Sequence, residues 1–371
     1  MDLPRMGLHS AFIGAALAVV AILMQGTPVR AQVHGFSRIP IQFSEVQDEI
    51  LVPNMPAIRD QHQAPLCYTY AAAVLIEHAI CREDHLDCKA LSSERRPSVL
   101  DLSKFAVDVK TIGRGIAPTD AREYPKTIVT TATIDRTLLP LVVLDNLFTS
   151  GGMIAKESCA PAEQYFARDP ELLQRLAFHW VAHERLRRTN RVSAAEYAAS
   201  ASLEIEALVQ NSSASDLIAA FGAKSQGEYF YQVLVPKKCA RAANVVQFYT
   251  ANKQLEYWPR NGEVAQYATS LRTIKGVLTT KVPVVLSVCT LRQATKECAN
   301  EDGSETRAHA IAVSGFRRAC KESQCIDALK VHNSWGETWQ REHGDGWVDA
   351  RDLLGHLSFF PGAIGWMSMR D

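Results

Sequence analysis

A cysteine at position 67 stands where a polar, turn-prone segment, IRDQHQAPL, gives way to an alanine-rich run, YTYAAAVLIEHAI. In the first turn of a helix a cysteine feels the positive end of the helix dipole, which favours thiolate over thiol. Cys67 is therefore a candidate nucleophile; its ordinary alternative is a small buried hydrophobe. A thiolate nucleophile needs a base or cationic partner to hold its charge state, and a third group to orient that partner. His309 opens HAIAVSGF, where a strand leaving the polar loop EDGSETRA would set the imidazole at an edge. Asn333, in VHNSWGETW, could accept the other ring proton of His309, and Trp335, two residues on, could cover that bond from water.

The elements that must carry these residues can be read from periodicity. Ala71, Val74, Leu75 and His78 recur at helical spacing, so a mostly buried helix is expected from Cys67 to Ile80. A second helix is expected over Ser98 to Val109, capped near Ser98 or Asp101, and a third over Asp135 to Thr149, closed by Ser150-Gly151-Gly152. Between about 162 and 228, Leu172, Leu173, Leu176, Trp180 and Val181 form one apolar stripe and Ala198, Ala201, Ile205 and Leu208 another, which reads as a helical hairpin. Strand-like segments follow: YFYQVLV, NVVQFYT, VPVVLSVC, HAIAVSGF and ALKVHNSWG. A helical first part and a stranded second part predict an α+β molecule with a cleft between two lobes.

Composition narrows the function classes. With 371 residues, 47% of them hydrophobic, the chain can bury a large core, and Lys+Arg and Asp+Glu balance at 40 each. That balance removes the field that would gather nucleic acid or an acidic membrane surface. The N-terminus carries an apolar run, AFIGAALAVVAILM, followed by Val29-Arg30-Ala31, the pattern of a signal peptide covering 1–31 and cut after Ala31. The expected location of the remaining 32–371 is periplasmic or secreted, with no stable membrane span after cleavage. Export gives the nine cysteines a meaning: in an oxidising compartment most should pair and one is left over. Cys81 with Cys88, Cys289 with Cys298 and Cys320 with Cys325 bracket short loops, Cys159 and Cys239 would bridge a long segment, and Cys67 is the odd thiol.

Taken in order along the chain, these residues resemble the papain family of cysteine peptidases. The stretch from Gln61 to Tyr68 reproduces the family spacing of a glutamine six residues before the nucleophile, with an aromatic residue directly after it. LDLSKFAVDV looks like the family helix that begins Leu-Ser, TSGGMIAKESCAP like the loop leading into a Tyr-Pro-Tyr turn, and TIKGVLTTKVPVVLSV like a strand entry where proline precedes alternating valines. HAIAVSGF and VHNSWGETW supply the histidine and asparagine motifs. The resemblance implies a two-lobed fold, a helical lobe plus an antiparallel β-barrel-like lobe. It also implies Cys67 as nucleophile, His309 as proton shuttle, Asn333 as its orienting residue, and Gln61 with the Cys67 amide as oxyanion donors. Peptides or proteins would be the substrates, and no metal or organic cofactor is required.

Several features depart from the family pattern. Ala64-Pro65-Leu66-Cys67 stands where the family has Cys-Gly-Ser-Cys, and TIVTTATIDRT occupies the region of its Cys-x-Gly-Gly loop, so the glycines that let a substrate backbone approach are missing. Cys67 and His309 are 242 residues apart, against about 130 to 150 in the family signature, and the helical segment accounts for most of the excess. That insertion is a candidate lid, a surface for a protein partner, or decoration. Only about 25 to 30 residues separate the predicted cleavage point from RDQHQ, too few for a helical inhibitory propeptide. The rival expectation is a catalytically degenerate papain-fold protein that binds a partner through its cleft or its insertion. His179 and His183 stand at i and i+4, a zinc-compatible spacing without the glutamate of HExxH, and are expected on a solvated or partner-facing helix surface. His332 should point away from Asn333, and Arg185, Arg187, Arg188 and Arg191 form a solvated helix end.

Overall fold

The computed structural model describes residues 36–40, 42–106, 140–189, 191–209, 212–260, 263, 265–289, 308–357 and 362–369. The first part runs through β1 (Glu45–Leu51), α1 (Cys67–Glu83), α2 (Val99–Leu102), α3 (Pro140–Thr149), β2 (Met153–Ala155), α4 (Ala162–Arg168), α5 (Leu172–Arg188), α6 (Ala194–Leu208), α7 (Ala214–Phe221) and α8 (Gln226–Leu234). The second part runs through β3 (Val245–Gln247), β4 (Lys253–Trp258), α9 (Tyr267–Thr279), β5 (Val284–Cys289), β6 (Ala308–Lys321), β7 (Gln324–His332), α10 (Gly336–Glu342), β8 (Trp347–Asp349), α11 (Ala350–Gly355) and β9 (Ile364–Met369). Mixed helix and antiparallel sheet is the α+β class expected from the sequence. The signal-peptide segment, Cys298, the TIVTTATIDRT stretch and the start of the third expected helix lie outside the described residues.

Helix α1 is buried from Cys67 through Cys81, as a helix apolar on nearly all sides must be. Ser98 caps α2 by accepting from the Asp101 backbone N–H, one of the two caps expected. The stretch read as a hairpin holds α5 and α6 packed together, with α4, α7 and α8 around them. Capping boxes at Ser193/Glu196 and Ser213/Asp216 start α6 and α7.

One expectation is corrected here: YFYQVLV is helical rather than a strand. Ser225 caps α8 by accepting from the Glu228 N–H, and Tyr229, Phe230, Val233 and Leu234 then fall on one buried face. A local aromatic and β-branched preference yields to the capped amphipathic pattern.

Among the described residues, seven strands form one antiparallel sheet in the order β4-β9-β5-β6-β7-β8, with β1 pairing β6 beyond the end of β5. Strand β6 divides two cores. Ala310 and Ala312 face the cluster built on α1, α3 and the helices of 162–234, whereas Ile311 and Val313 face the barrel-side cluster of β5, β7, α9 and α11. A strand whose two faces feed two cores sets its first residues at the seam between them, and His309 is the second residue of β6. Disulfides join Cys81 to Cys88, Cys159 to Cys239 and Cys320 to Cys325. Among the described residues no helix is long and apolar enough to cross a membrane.

Candidate active site

Cys67 is the first residue of α1 and is buried. The residue before it, Leu66, offers no side-chain cap, and the first turn of α1 holds no acidic residue. Cys67 is not part of the bridges Cys81–Cys88, Cys159–Cys239 and Cys320–Cys325. Helix α1 packs against β6 one turn beyond Cys67: Ala71 and Val74 line a small cavity together with Ala310, Asn333 and Ser334. The helix carrying the candidate nucleophile and the strand carrying His309 are therefore neighbours.

Gln61 is buried on a short segment that runs antiparallel to the turn after β7. Asp60 and Trp335 form an isolated β-bridge, and the Gln61 N–H donates to the Ser334 carbonyl at 2.8 Å. The Gln61 carboxamide is held at both ends. Its Nε2 donates to the Ala64 carbonyl at 2.9 Å, and its Oε1 accepts from the Ser334 hydroxyl at 2.5 Å. One N–H of the amide remains to point elsewhere. Close approach of the two segments needs a glycine at 336: its φ is +82°, and a Cβ there would stand 2.5 Å from Asp60 Oδ2.

His309 is 6% exposed, and its Nε2 lies 2.9 Å from Asn333 Oδ1. A carbonyl oxygen only accepts, so Nε2 carries the proton and donates, which leaves Nδ1 as the basic nitrogen. Trp335 stacks on the imidazole with centroids 4.4 Å apart and planes 20° from parallel. Burial pushes the His309 pKa down to about 4, and the Asn333 bond works against that shift. The ring is neutral at pH 7. Asn333 is fully buried, and its Nδ2 has no hydrogen-bond partner among the described residues.

Solved structures similar to this chain include a stem bromelain precursor, at 11% identity over 90% of this chain and 74% of that one, with a TM-score of 0.39. Digestive procathepsin L 3 of the Tenebrio molitor larval midgut is 10% identical over 92% and 75%, at 0.40. Xylellain, a cysteine protease from Xylella fastidiosa, is 13% identical over 92% of both chains, also at 0.40. No family profile and no curated protein matches the chain.

The remaining singled-out residues sit apart from this cluster or beside it. His332 is buried next to Asn333, its Nε2 3.4 Å from the Ala57 carbonyl, and burial takes its pKa to about 4. It lines the Ala71/Asn333 cavity but makes no contact with His309 among the described bonds. His179 faces Glu204 at 3.5 Å, whereas His183 is packed between the rings of Tyr197 and Phe221. The pair is thus buried rather than solvated, and no group of three or more metal-ligating side chains occurs among the described residues. Arg187 of the basic cluster pairs with Glu184. Sequence reasoning missed Ser334 and Arg59. Ser334 carries no signal beyond its place between Asn333 and Trp335; Arg59 is foreshadowed only by Glu77, a lone carboxylate within the apolar run AAAVLIEHAI.

Proposed function

We propose that this chain is an exported papain-like cysteine peptidase that hydrolyses peptide bonds in peptides or proteins. The observation that supports this most is the 2.9 Å bond from His309 Nε2 to Asn333 Oδ1 beneath Trp335, on a strand that packs against the helix opened by Cys67. With Nε2 committed, Nδ1 is the nitrogen that takes the Cys67 proton, and burial keeps it unprotonated at neutral pH.

The Cys67 sulfur attacks the scissile carbonyl carbon as its proton passes to His309. The oxyanion is met by the Cys67 backbone N–H and the remaining N–H of Gln61. Collapse breaks the C–N bond, and the imidazolium returns the proton to the leaving amine. Water, deprotonated by His309, then hydrolyses the thioester and restores the thiol. Asn333 fixes the ring and stabilises its charged form during the cycle. Export is supported by three disulfides among the described residues. The segment from about 162 to 228 is an insertion in this scheme.

The test is the intact mass of the mature protein after exposure to a peptidyl epoxide that alkylates activated thiols, beside Cys67→Ala and His309→Ala. One adduct mapped to Cys67 and lost in both variants is the expected result. A native protein that takes no adduct, although its Cys67 thiol reacts after unfolding, would overturn the peptidase reading in favour of a binding protein.

A further inference from the structure

Arg59 stands two residues before Gln61 and takes no part in the reaction above. Its side chain is 4% exposed and its guanidinium meets three carboxylates from three parts of the chain. Nη1 lies 3.0 Å from Glu77 in α1, Nη2 lies 2.9 Å from Glu157, and Nε donates to Glu163 in α4. The Tyr70 ring centroid lies 5.1 Å from the Arg59 Cζ, and the Tyr70 hydroxyl donates to the Asp60 carbonyl at 3.2 Å. On its other side the Arg59 carbonyl accepts from the Gly336 N–H at 3.2 Å. Residues 59–61 are therefore clamped between α1 and the turn that carries Ser334 and Trp335.

Stability alone does not account for this cluster. Burying charges carries a desolvation penalty that their attraction repays only with excellent geometry, and apolar residues of similar volume often stabilise as well or better. A planar guanidinium fork held by three carboxylates has essentially one position, and fixed position is what such a cluster supplies. Two of the three carboxylates belong to the entrance of the helical segment. Glu157 Oε1 accepts from the Ala162 N–H at the start of α4, two residues past Cys159 lies Pro161, and Cys159 is tied to Cys239 on the segment's far side.

We propose that Arg59 is a positioning residue for Gln61, and that Glu157 and Glu163 make the root of the helical segment part of the oxyanion support. The inference rests on the peptidase reading for what Gln61 does. It assigns the root of the insertion a supporting role at the site, in place of a lid hinged there.

The test compares Arg59→Met, Arg59→Lys and Glu163→Gln with the parent, each alone and on a Gln61→Ala background. Two rates are read: turnover of the best-cleaved member of a quenched-fluorescence peptide library, and alkylation of Cys67 by iodoacetamide, a displacement that forms no oxyanion. Expected for Arg59→Met is a fall in kcat of about tenfold or more, with KM and the alkylation rate within about twofold. Arg59→Lys should recover part of that loss. Glu163→Gln should lose about threefold to tenfold, and neither change should lower kcat further once Gln61 is Ala. Parallel loss of alkylation and turnover, or equal losses in both backgrounds, would overturn the proposal. Should Arg59→Met not fold, Glu163→Gln decides by the same criteria, since Glu163 is a third exposed. A parent that alkylates but cleaves no peptide sinks the peptidase reading separately. Hydrogen exchange at the Gln61 N–H then decides: faster exchange in Glu163→Gln than in the parent supports positioning, and unchanged exchange overturns it.

Discussion

On the α1 side of the candidate site Arg59, Glu77, Glu157 and Glu163 are packed into contact, whereas on the strand side His309 and His332 are buried against neutral partners, Asn333 and the Ala57 carbonyl. Both sides face the same desolvation penalty and meet it in different ways. Around Arg59 opposing charges are gathered, and Glu157, Glu77 and Glu163 outweigh burial to hold the guanidinium charged. Carboxylates outnumber the guanidinium groups of Arg59 and Arg96 there, so burial lifts Glu77 to about 7 even with Arg59 and Arg96 drawing it down, and it lifts Glu157 as well. On the strand side the answer is neutrality, with both imidazoles taken to about 4 by burial. One wall keeps charge; the other excludes it.

The largest effect expected is on turnover. Cys67→Ala should abolish measurable peptide cleavage, a loss of about 10⁴-fold or more, while leaving the thermal transition of the protein within a few degrees. A variant retaining even a hundredth of the parent rate would remove the sulfur from the mechanism.

The charged wall is predicted to be the more fragile in stability. Arg59→Met leaves buried carboxylates without their counter-ion and should lower unfolding free energy by about 3 to 5 kcal/mol in a urea titration at pH 7. A change under about 1 kcal/mol would mean that the cluster is already neutralised by protons. Gln61→Ala should act on the reaction instead, lowering kcat by about 10² to 10³ with iodoacetamide alkylation of Cys67 unchanged.

The two walls should also tilt the pH dependence of stability in opposite directions. A histidine whose folded pKa is lowered binds fewer protons folded than unfolded, so its contribution is lost as pH falls from 6.5 through 4. Glu77 behaves in reverse: its folded value is raised, so its contribution is present below 4.5 and is lost as pH rises through about 7. Unfolding free energies of His332→Asn and Glu77→Gln from pH 4 to 8 separate the walls. Relative to the parent, the first should flatten the acid-side loss and the second the loss between 4.5 and 7; matching curves would erase the contrast. The smallest effect is expected at the join. Ser334→Ala removes one hydrogen bond to Gln61 Oε1 and should lower kcat by about tenfold or less, with KM unchanged.

Local pattern made much of the fold legible. The Ala-rich run of α1, the caps at Ser98 and the alternation in β5 and β6 each announce themselves within a few residues. The aromatic and β-branched content of YFYQVLV suggests a strand that the cap at Ser225 overrides, and the exposed strand β1, EVQDEIL, alternates too weakly to stand out. The contact of Asn333 with His309 joins β6 to the residue just past β7, whereas the burial of His183 among aromatic rings comes from α6 and α7, which its own helix does not reveal.

By itself, then, the sequence determined residue chemistry and local placement: a thiol opening a helix, an imidazole near the head of a strand, and an amide just past the end of the next. Those follow from short-range periodicity and turn chemistry, which act within a few residues. Only the tertiary structure decided which carboxylates surround Arg59, that Ser334 turns the Gln61 amide, and that His309 is neutral. Those depend on desolvation and on partners up to 273 residues away, because the dielectric around a group is set by whatever packs on it in space.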